Sequence, residues 1–346
     1  MTSRFPRSPY PTGWFQVGWS HELAAGEVKA LQNFGEHLVL WRGESGEVFV
    51  QDAYCPHLGA HRGIRGTVAG EDIRCPWHGW EFNGAGANTK VPYGDEGCKP
   101  NLKVRVYPVV EWYGMIAVWF SSDGRGPDWE LPVLEDAERP NFYPMFPHGA
   151  TRYRVKSHVQ MPVENAVDAA HIQFVHGSSE VATIVEFSTK DHTFVSEVAV
   201  KYGGNKKSTE LTPGGAKVAS FRITHYGLGF SVIRWSESLW PTMAITGFTP
   251  IDDQYIDYFY QQASQRGDGE VGDEPQGKAA RMLKVQRDVV EQDFFTWENM
   301  KYLERATFAN AEVANYGKLR DWALQFYPEA SNDSASNGHL VPAEAK

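Results

Sequence analysis

The sequence predicts an α+β protein in which an antiparallel β domain is followed by a domain of both helices and strands. The first half is a series of short segments rich in β-branched and aromatic residues, such as "HLVLWRG" and "EVFVQDAY", separated by Gly, Pro and Asp. The second half combines periodic segments of the helical kind with alternating segments of the strand kind. A change of pattern along the chain indicates two parts of different architecture.

The domain boundary is predicted at a turn-rich segment, "SSDGRGPDWELP", residues 121–132. We place a first domain at residues 1–125 and a second at residues 126–330. We expect the polar tail at residues 331–346 to be disordered, because it has little to bury. Within the second domain the patterns predict a helix over 161–176, strands over 184–262 and a long helix over 276–305.

Composition and charge exclude several classes of partner. The formal net charge is -10, from 43 acidic and 33 basic residues, so we expect no nucleic acid and no anionic membrane as partner. The opening segment is interrupted by three prolines and lacks the apolar part of a secretory signal, and no apolar run approaches the ~18 residues of a spanning helix. Three cysteines cannot form a disulfide framework. We therefore expect a cytoplasmic protein with free thiols or metal thiolates.

A cysteine and a histidine are paired twice in the first half. Cys55 and His57 lie in "YCPHLGAHRG", Cys75 and His78 lie in "RCPWHGWEF", and seventeen residues separate the pairs. A zinc finger normally takes two like ligands from each knuckle. One thiolate and one imidazole from each of two loops suit a two-iron centre, in which the cysteines hold one iron and the histidines the other. The spacing therefore predicts a Rieske [2Fe-2S] cluster, which relays electrons.

Two other interpretations of these four residues are open. One is a structural zinc site, and the other is a core cysteine with hydrogen-bonded histidines that share no role. Cys98 and His61 lie outside the spacing, and we interpret them as a spare thiol and a loop histidine.

A second group of metal-ligand residue types lies in "VENAVDAAHIQFVHG", residues 163–177. Asp168 and His171 are three residues apart and would share one face of a helix. His176 lies about 140° round a helix from His171, so both imidazoles reach one ion only if the helix ends or loosens between them, which we expect at residues 174–177. Two neutral imidazoles and a carboxylate form the facial triad that leaves positions on iron(II) open for O2. The alternative is a histidine pair that caps a helix.

The two motifs, C-x-H-x17-C-x2-H and then N-x2-D-x2-H-x4-H, resemble those of the terminal oxygenase α subunits of Rieske non-haem iron oxygenases, over roughly residues 10–328. The resemblance implies that the first motif binds the cluster and that His171 and His176 bind the mononuclear iron. Asp168 matches an aspartate that bridges a cluster histidine of one subunit to an iron-ligand histidine of the next, which implies a ring of subunits. Asn165 matches an asparagine near the iron, as a weak contact or a hydrogen-bond donor, with a helix-surface position as the alternative.

The third iron ligand is predicted in the late helix. The segment "VVEQDFFTWENMKY" resembles the family's D-x3-W segment, which assigns Asp293. Glu291 and Glu298 are the alternatives, since acidic residues on a polar helix usually face solvent. The aromatic neighbours Phe294 and Trp297 favour Asp293 as the inward residue.

Peripheral segments narrow the resemblance. The segments "CPHLGAHRG", "GTVAGEDIRCPWHGW" and "LRDWALQFYPE" are similar to the 3-ketosteroid 9α-hydroxylase and cholesterol 7-desaturase group. This similarity implies a helix-grip-like catalytic domain and a stand-alone α subunit that forms a homotrimer. It implies NADH or NADPH electrons delivered by a flavin-dependent reductase or a ferredoxin/reductase pair. It also implies hydroxylation, with O2, of a C–H bond of a bulky apolar (steroid-like) or aromatic substrate, in a pocket lined by the sheet of the second half.

Three other functions are open. A Rieske O- or N-demethylase of methoxy-aromatic or methylamine substrates would use the same irons and release formaldehyde. An electron-transfer Rieske protein would not need the second motif, and a zinc-stabilised binding module would contain neither iron nor sulfide.

Arg62 and Arg65 stand where similar chains more often have an apolar residue and glycine. We expect both arginines at the surface of the first loop, where they alter reductase docking or only the surface.

Overall fold

The computed structural model describes residues 5–95, 97–202, 215–236 and 240–328. The tail that is predicted to be disordered, residues 331–346, lies outside these ranges.

The described chain forms two compact units. The first unit consists of residues 12–130 and 249–253, and the second of residues 5–11, 131–248 and 254–328. The segment 249–253 joins the first unit by main-chain pairing, since Phe34 N donates a hydrogen bond to Pro250 O at 2.8 Å. The boundary predicted between residues 125 and 126 assigns residues 5–11 to the first domain and residues 249–253 to the second, whereas the compact units have them the other way round. Turn composition carries no information on pairing between distant segments.

The first unit is built of three antiparallel sheets, as predicted for the N-terminal half. Their strand orders are β1-β11-β10, β2-β3-β4-β9 and β5-β6-β7-β8. The first Cys–His loop follows β4, and the second joins β6 to β7. The elements are β1 (Gly13–Trp19), a 3-10 helix (Ser20–Glu22), β2 (Val28–Asn33), β3 (Glu36–Arg42), β4 (Val48–Asp52), β5 (Thr67–Ala69), β6 (Asp72–Arg74), β7 (Glu81–Phe82), β8 (Asn88–Lys90), β9 (Val106–Tyr107), β10 (Val109–Trp112) and β11 (Met115–Phe120).

The second unit is a seven-stranded sheet with helices, which confirms the α+β class. The strand order is β12-β18-β17-β16-β15-β14-β13. None of the helices in the described ranges is long and apolar enough to cross a membrane. The elements are β12 (Ala150–Val155), α1 (Gln160–Glu164), a 3-10 helix (Asn165–Val167), α2 (His171–Phe174), β13 (Thr183–Lys190), β14 (Thr193–Tyr202), β15 (Lys217–Tyr226), β16 (Phe230–Trp235), β17 (Thr242–Pro250), β18 (Ile256–Ser264), α3 (Gly277–Asn299), α4 (Val313–Ala323) and a 3-10 helix (Leu324–Phe326).

The core of the second unit joins α3 and α4 to the sheet. Met282 and Trp297 of α3 and Leu319 and Trp322 of α4 are buried in one cluster with sheet residues such as Phe194. Burial of each such side chain contributes about 1.5–3 kcal/mol of stability. This packing fixes the long helix that carries the predicted third iron ligand.

The continuous helix predicted over residues 161–176 is wrong. α1 and a 3-10 helix are followed by a break, and α2 begins only at His171. Asp168 lies at the break, with φ of -93° and ψ of 84°, and its carboxylate accepts a hydrogen bond from His171 N at 3.1 Å. A short acidic side chain that bonds to nearby main chain competes with the helix for that donor. The long helix predicted later in the chain is confirmed as α3, whereas α4 was not predicted.

A buried histidine connects the N-terminal segment to the rest of the second unit. His158 Nδ1 accepts a hydrogen bond from Gln160 N at 3.1 Å, and its Nε2 lies 3.2 Å from Ser8 O. Because Nδ1 accepts, Nε2 carries the proton and donates to Ser8 O. Phe5 stacks on the ring with 3.5 Å between centroids. Burial lowers the pKa of His158 to about 3.

We expect His158 to make stability fall as the pH drops from about 7.5 to about 5. The unfolded histidine takes up a proton below its pKa of about 6.5, whereas the folded imidazole stays neutral, so protons favour unfolding. The effect is about 2 kcal/mol over this interval. In urea unfolding, the free energy of unfolding of His158→Gln should fall less than that of wild type between these pH values, by about 2 kcal/mol. The exposed control His148→Gln should lose as much free energy of unfolding as wild type. Equal losses in all three proteins would contradict the prediction.

Candidate metal centres and cavity

The two Cys–His loops of the first unit have the same main-chain geometry. In each loop the cysteine N–H donates to the carbonyl five residues later, at 2.8 Å. The glycine four residues after each cysteine donates back to the cysteine carbonyl, Gly59 at 2.8 Å and Gly79 at 3.1 Å. Gly59 and Gly79 have φ of 76° and 69°, which glycine adopts without steric cost. Gly59 and Gly79 therefore close two equivalent turns.

These turns bring the four predicted cluster ligands together. The side chains of Cys55 and Cys75 are buried, and the rings of His57 and His78 lie 4.7 Å apart between centroids. Trp80 stacks on His57 at 4.3 Å. Nδ1 of His57 is buried and has no hydrogen-bond partner in the described chain. A buried ring nitrogen without a partner is unfavourable, so this atom fits a metal ligand.

The two thiols support the same assignment. Hydrogen bonding to Cys55, followed by the N–H groups of Trp77 and His78, lowers the pKa of Cys75 to about 5. The shared hydrogen bond, followed by burial, raises the pKa of Cys55. Both sulfurs are therefore thiolates together only when a cation shares the site, which is the condition for metal binding.

The spacing of these four residues differs from that around a single ion. A tetrahedral zinc ion with ligands at about 2.0–2.3 Å holds its donor atoms within roughly 4 Å of one another. Within the described ranges, the one group of at least three His, Cys, Asp or Glu donor atoms that all lie within 4.8 Å of one another belongs to the second unit. Two thiolates and two imidazoles in the wider arrangement fit a two-iron cluster.

Arg62 is buried beneath the first loop, so the expectation of a surface position is wrong for this arginine. Its side chain is 0% exposed and donates to Gln51 Oε1 at 2.9 Å. The guanidinium also lies 5.0 Å from the centroid of the Phe82 ring. Its positive charge favours the two nearby thiolates. Arg65 is exposed, as expected.

In the second unit, His171, His176 and Asp293 form one compact group. One donor atom from each lies within 4.8 Å of the others, and the two rings lie 5.1 Å apart between centroids. Nε2 of His176 is 3.3 Å from Asp293 Oδ1. α2 ends at Phe174 and Gly177 follows with φ of 70°, so the helix ends between the histidines as predicted. Two imidazoles and one carboxylate are the donor set of an iron(II) facial triad.

Neighbouring polar side chains orient this group. Asn165 Nδ2 donates to Asp293 Oδ2 at 3.0 Å, and Trp297 Nε1 donates to Asn165 Oδ1 at 3.3 Å. Asn165 is therefore a hydrogen-bond donor beside the carboxylate and does not lie on a helix surface. His176 Nδ1 is 3.0 Å from Gln292 Oε1, which accepts a hydrogen bond from it, so that Nε2, which faces Asp293, is the donor atom to a metal. Gln292 was not predicted, since no motif distinguishes it on a polar helix.

The two alternative carboxylates lie elsewhere on α3. Glu291 and Glu298 are exposed, whereas Asp293 is 8% exposed. Glu291 Oε1 accepts a hydrogen bond from Tyr153 at 3.0 Å. The geometry therefore favours Asp293 over both.

Asp168 lies beside His171 and outside the compact group. Its Oδ1 is 3.8 Å from His171 Nδ1, and its side chain also bonds to Tyr316. Burial opposes ionisation, but hydrogen bonding with His171 lowers the pKa of Asp168 overall. The two residues meet through a turn and not through a shared helix face, which corrects the reason for their expected proximity.

A cavity of about 780 Å³ adjoins the compact group within the second unit. His171, His176 and Asp293 line it, together with residues of the sheet and of α3. Its volume lies within the roughly 300–1,000 Å³ of small-molecule sites. The other walls are largely aromatic and aliphatic, and they include Phe221, Ile223, Ile233, Trp235, Phe248 and Val290.

Two protein families match this chain in sequence. The Rieske [2Fe-2S] domain matches residues 13–108, and the 3-Ketosteroid 9alpha-hydroxylase C-terminal domain matches residues 118–327. The first match contains both Cys–His loops, and the second contains the compact group and the cavity.

Individual proteins are similar over nearly the whole chain. Cholesterol 7-desaturase of Bombyx mori is 28% identical, over 96% of this chain and 72% of its own length. The probable 3-ketosteroid-9-alpha-monooxygenase, oxygenase component, of Rhodococcus rhodochrous is 27% identical, over 94% of this chain and 82% of its own. The crystal structure of dicamba monooxygenase bound to dicamba has a TM-score of 0.71 at 18% identity and covers 93% of this chain and 98% of its own, so the fold is shared.

Proposed function

Since this chain belongs to the Rieske oxygenases with a 3-ketosteroid 9alpha-hydroxylase C-terminal domain, we propose that it hydroxylates a C–H bond of a steroid-like substrate. It is an oxygenase with a Rieske [2Fe-2S] cluster and a mononuclear iron, and it uses O2. The observation that carries the substrate proposal is the largely apolar cavity of about 780 Å³ that adjoins the compact group. The steroid names of the two relatives support it and favour it over O- or N-demethylation.

The ligand assignments are part of this proposal. Cys55, His57, Cys75 and His78 hold the cluster, and the buried thiols and the unpaired His57 Nδ1 support this. His171, His176 and Asp293 hold the iron. When bound, the cluster supplies single electrons and the iron supplies the position at which O2 is reduced. Asn165 keeps the Asp293 carboxylate oriented, and Gln292 fixes the tautomer of His176.

The assembly is proposed to be a homotrimer in which Asp168 is a positioning residue between subunits. Its contact with His171 supports a bridge to a cluster histidine of a neighbouring subunit. Electrons come from a separate flavin-dependent reductase, directly or through a ferredoxin. A reducing cytoplasm fits the three free cysteines. Light scattering of the purified protein should give the mass of about three chains, and a monomer would contradict the bridge.

Product analysis tests the function. Purified protein, a reductase, NADH and O2 would be incubated with cholesterol or with a 3-ketosteroid, and products would be analysed by mass spectrometry. We expect a product that carries one oxygen atom from labelled O2. Formaldehyde from methoxy-aromatic compounds, with no steroid product, would contradict the proposal in favour of a demethylase.

A further inference from the structure

A row of three polar side chains crosses the sheet wall of the cavity. His225 on β15 pairs with Ser231 on β16, and Ser231 pairs with Thr246 on β17. All three line the cavity, and their exposed fractions are 2%, 1% and 1%. The register therefore places three buried polar groups side by side on one face of the sheet.

Two atoms of this row have no hydrogen-bond partner within the described part of the chain: Nε2 of His225 and Oγ1 of Thr246. The third residue is paired inside the row, since Ser231 Oγ lies 2.5 Å from His225 Nδ1. Buried polar atoms normally have partners, because leaving them unpaired is unfavourable. Two such atoms in one row of a cavity wall, on either side of Ser231, indicate a ligand that pairs with them.

The neighbouring row on the same face of the sheet is apolar, and two of its residues, Ile223 and Ile233, line the cavity. Two positions along each strand, about 7 Å away, Ile223 pairs with Ile233 and Ile233 with Ala244. Burial lowers the pKa of His225 to about 3, so the imidazole is neutral at neutral pH. The neutral imidazole supplies no countercharge to an anionic ligand group, and the part of the ligand beyond the polar row meets apolar side chains.

We propose that His225 and Thr246 bind the hydroxyl or ketone oxygen of an otherwise apolar steroid and thereby orient it in the cavity. The inference rests on the proposed function and names the anchoring contact that the function requires. A neutral imidazole and a threonine hydroxyl each donate or accept, so a substrate hydroxyl satisfies both in either histidine tautomer, whereas a ketone only accepts. A substrate without an oxygen leaves both atoms unpaired.

Anaerobic binding to the holoenzyme tests the anchor independently of turnover. The probes are cholesterol, cholest-4-en-3-one and cholest-5-ene, of which the last lacks oxygen. We expect the wild-type protein to bind each oxygenated probe at least about tenfold more tightly than cholest-5-ene. Equal affinities for the three would overturn the anchor and leave the steroid proposal standing. Failure of all three to bind would overturn the steroid proposal, and the anchor with it.

Variants test which residues provide the preference. Thr246→Val removes the unpaired hydroxyl at nearly constant volume and should reduce the preference for oxygenated probes by about tenfold, with unchanged affinity for cholest-5-ene. His225→Phe should likewise reduce the preference for oxygenated probes by about tenfold and leave the affinity for cholest-5-ene unchanged. Thr242→Val is the matched control, because Thr242 lies on the same strand and its hydroxyl bonds to Ser264 Oγ at 3.1 Å; it should keep the wild-type preference. If Thr246→Val and His225→Phe both kept the wild-type preference for oxygenated probes over cholest-5-ene, the inference would be overturned.

Discussion

Replacing Asp293 with alanine is expected to reduce steroid turnover by more than about 100-fold, because changes to metal-site partners alone typically cost about 10–100-fold. Asp293 is the carboxylate of the compact group and lies 3.3 Å from His176 Nε2. Without it, two imidazoles remain, and a facial triad cannot form. The cluster loops belong to the first unit, so the [2Fe-2S] spectrum should be unchanged. Metal analysis should show a loss of about one iron per chain with acid-labile sulfide retained.

The matched control is Glu298→Ala on the same helix. Glu298 is exposed and lies outside the compact group, so its loss should leave turnover and iron content within about twofold of wild type, as for most surface changes. Glu291→Ala adds a test of the other alternative ligand, although it also removes the acceptor of the Tyr153 hydrogen bond. Retention of iron and turnover in Asp293→Ala, with loss of both in either glutamate variant, would contradict the assignment.

Local spacing predicts those parts of the site whose residues lie close together in the chain. The Cys–His loops could be predicted because each loop folds on itself, with cysteine and glycine bonded across four residues. The end of α2 between His171 and His176 could be predicted from helix geometry and from Gly177. Asp293 was predicted from a resemblance, with support from its aromatic neighbours Phe294 and Trp297.

The burial of Arg62 and the polar row of the cavity wall could not be predicted from the sequence, because both depend on contacts between segments that are distant in the chain. Arg62 is buried because Gln51 on β4 accepts its hydrogen bond, and an arginine in a loop gives no sign of such a partner. His225, Ser231 and Thr246 lie on three strands, and only the register of those strands makes them one row. The helix prediction at Asp168 failed for a different, local reason, because a side-chain hydrogen bond from His171 N to Asp168 replaced helical bonding.

Replacing Cys75 with serine is expected to remove the [2Fe-2S] cluster and, with it, turnover supported by a reductase, again by more than about 100-fold. The Cys75 thiol is the one whose pKa is lowered, by hydrogen bonding to Cys55 and then by main-chain N–H groups, so it is the sulfur most readily available as thiolate. A serine hydroxyl in the same turn stays protonated and is a poor ligand for iron. Acid-labile sulfide and the EPR signal after reduction with dithionite should both disappear.

Cys98→Ser is the matched control for this change, since Cys98 is the third free cysteine and lies outside both loops. It should retain sulfide, EPR signal and turnover. Cys75→Ser should keep the iron held by the second unit, because His171, His176 and Asp293 are all in that unit. The pair of measurements therefore separates two sites that fail independently: sulfide lost with one iron retained in Cys75→Ser, and sulfide retained with one iron lost in Asp293→Ala. If Cys98→Ser lost the cluster and Cys75→Ser kept it, the ligand assignment in the first unit would be wrong.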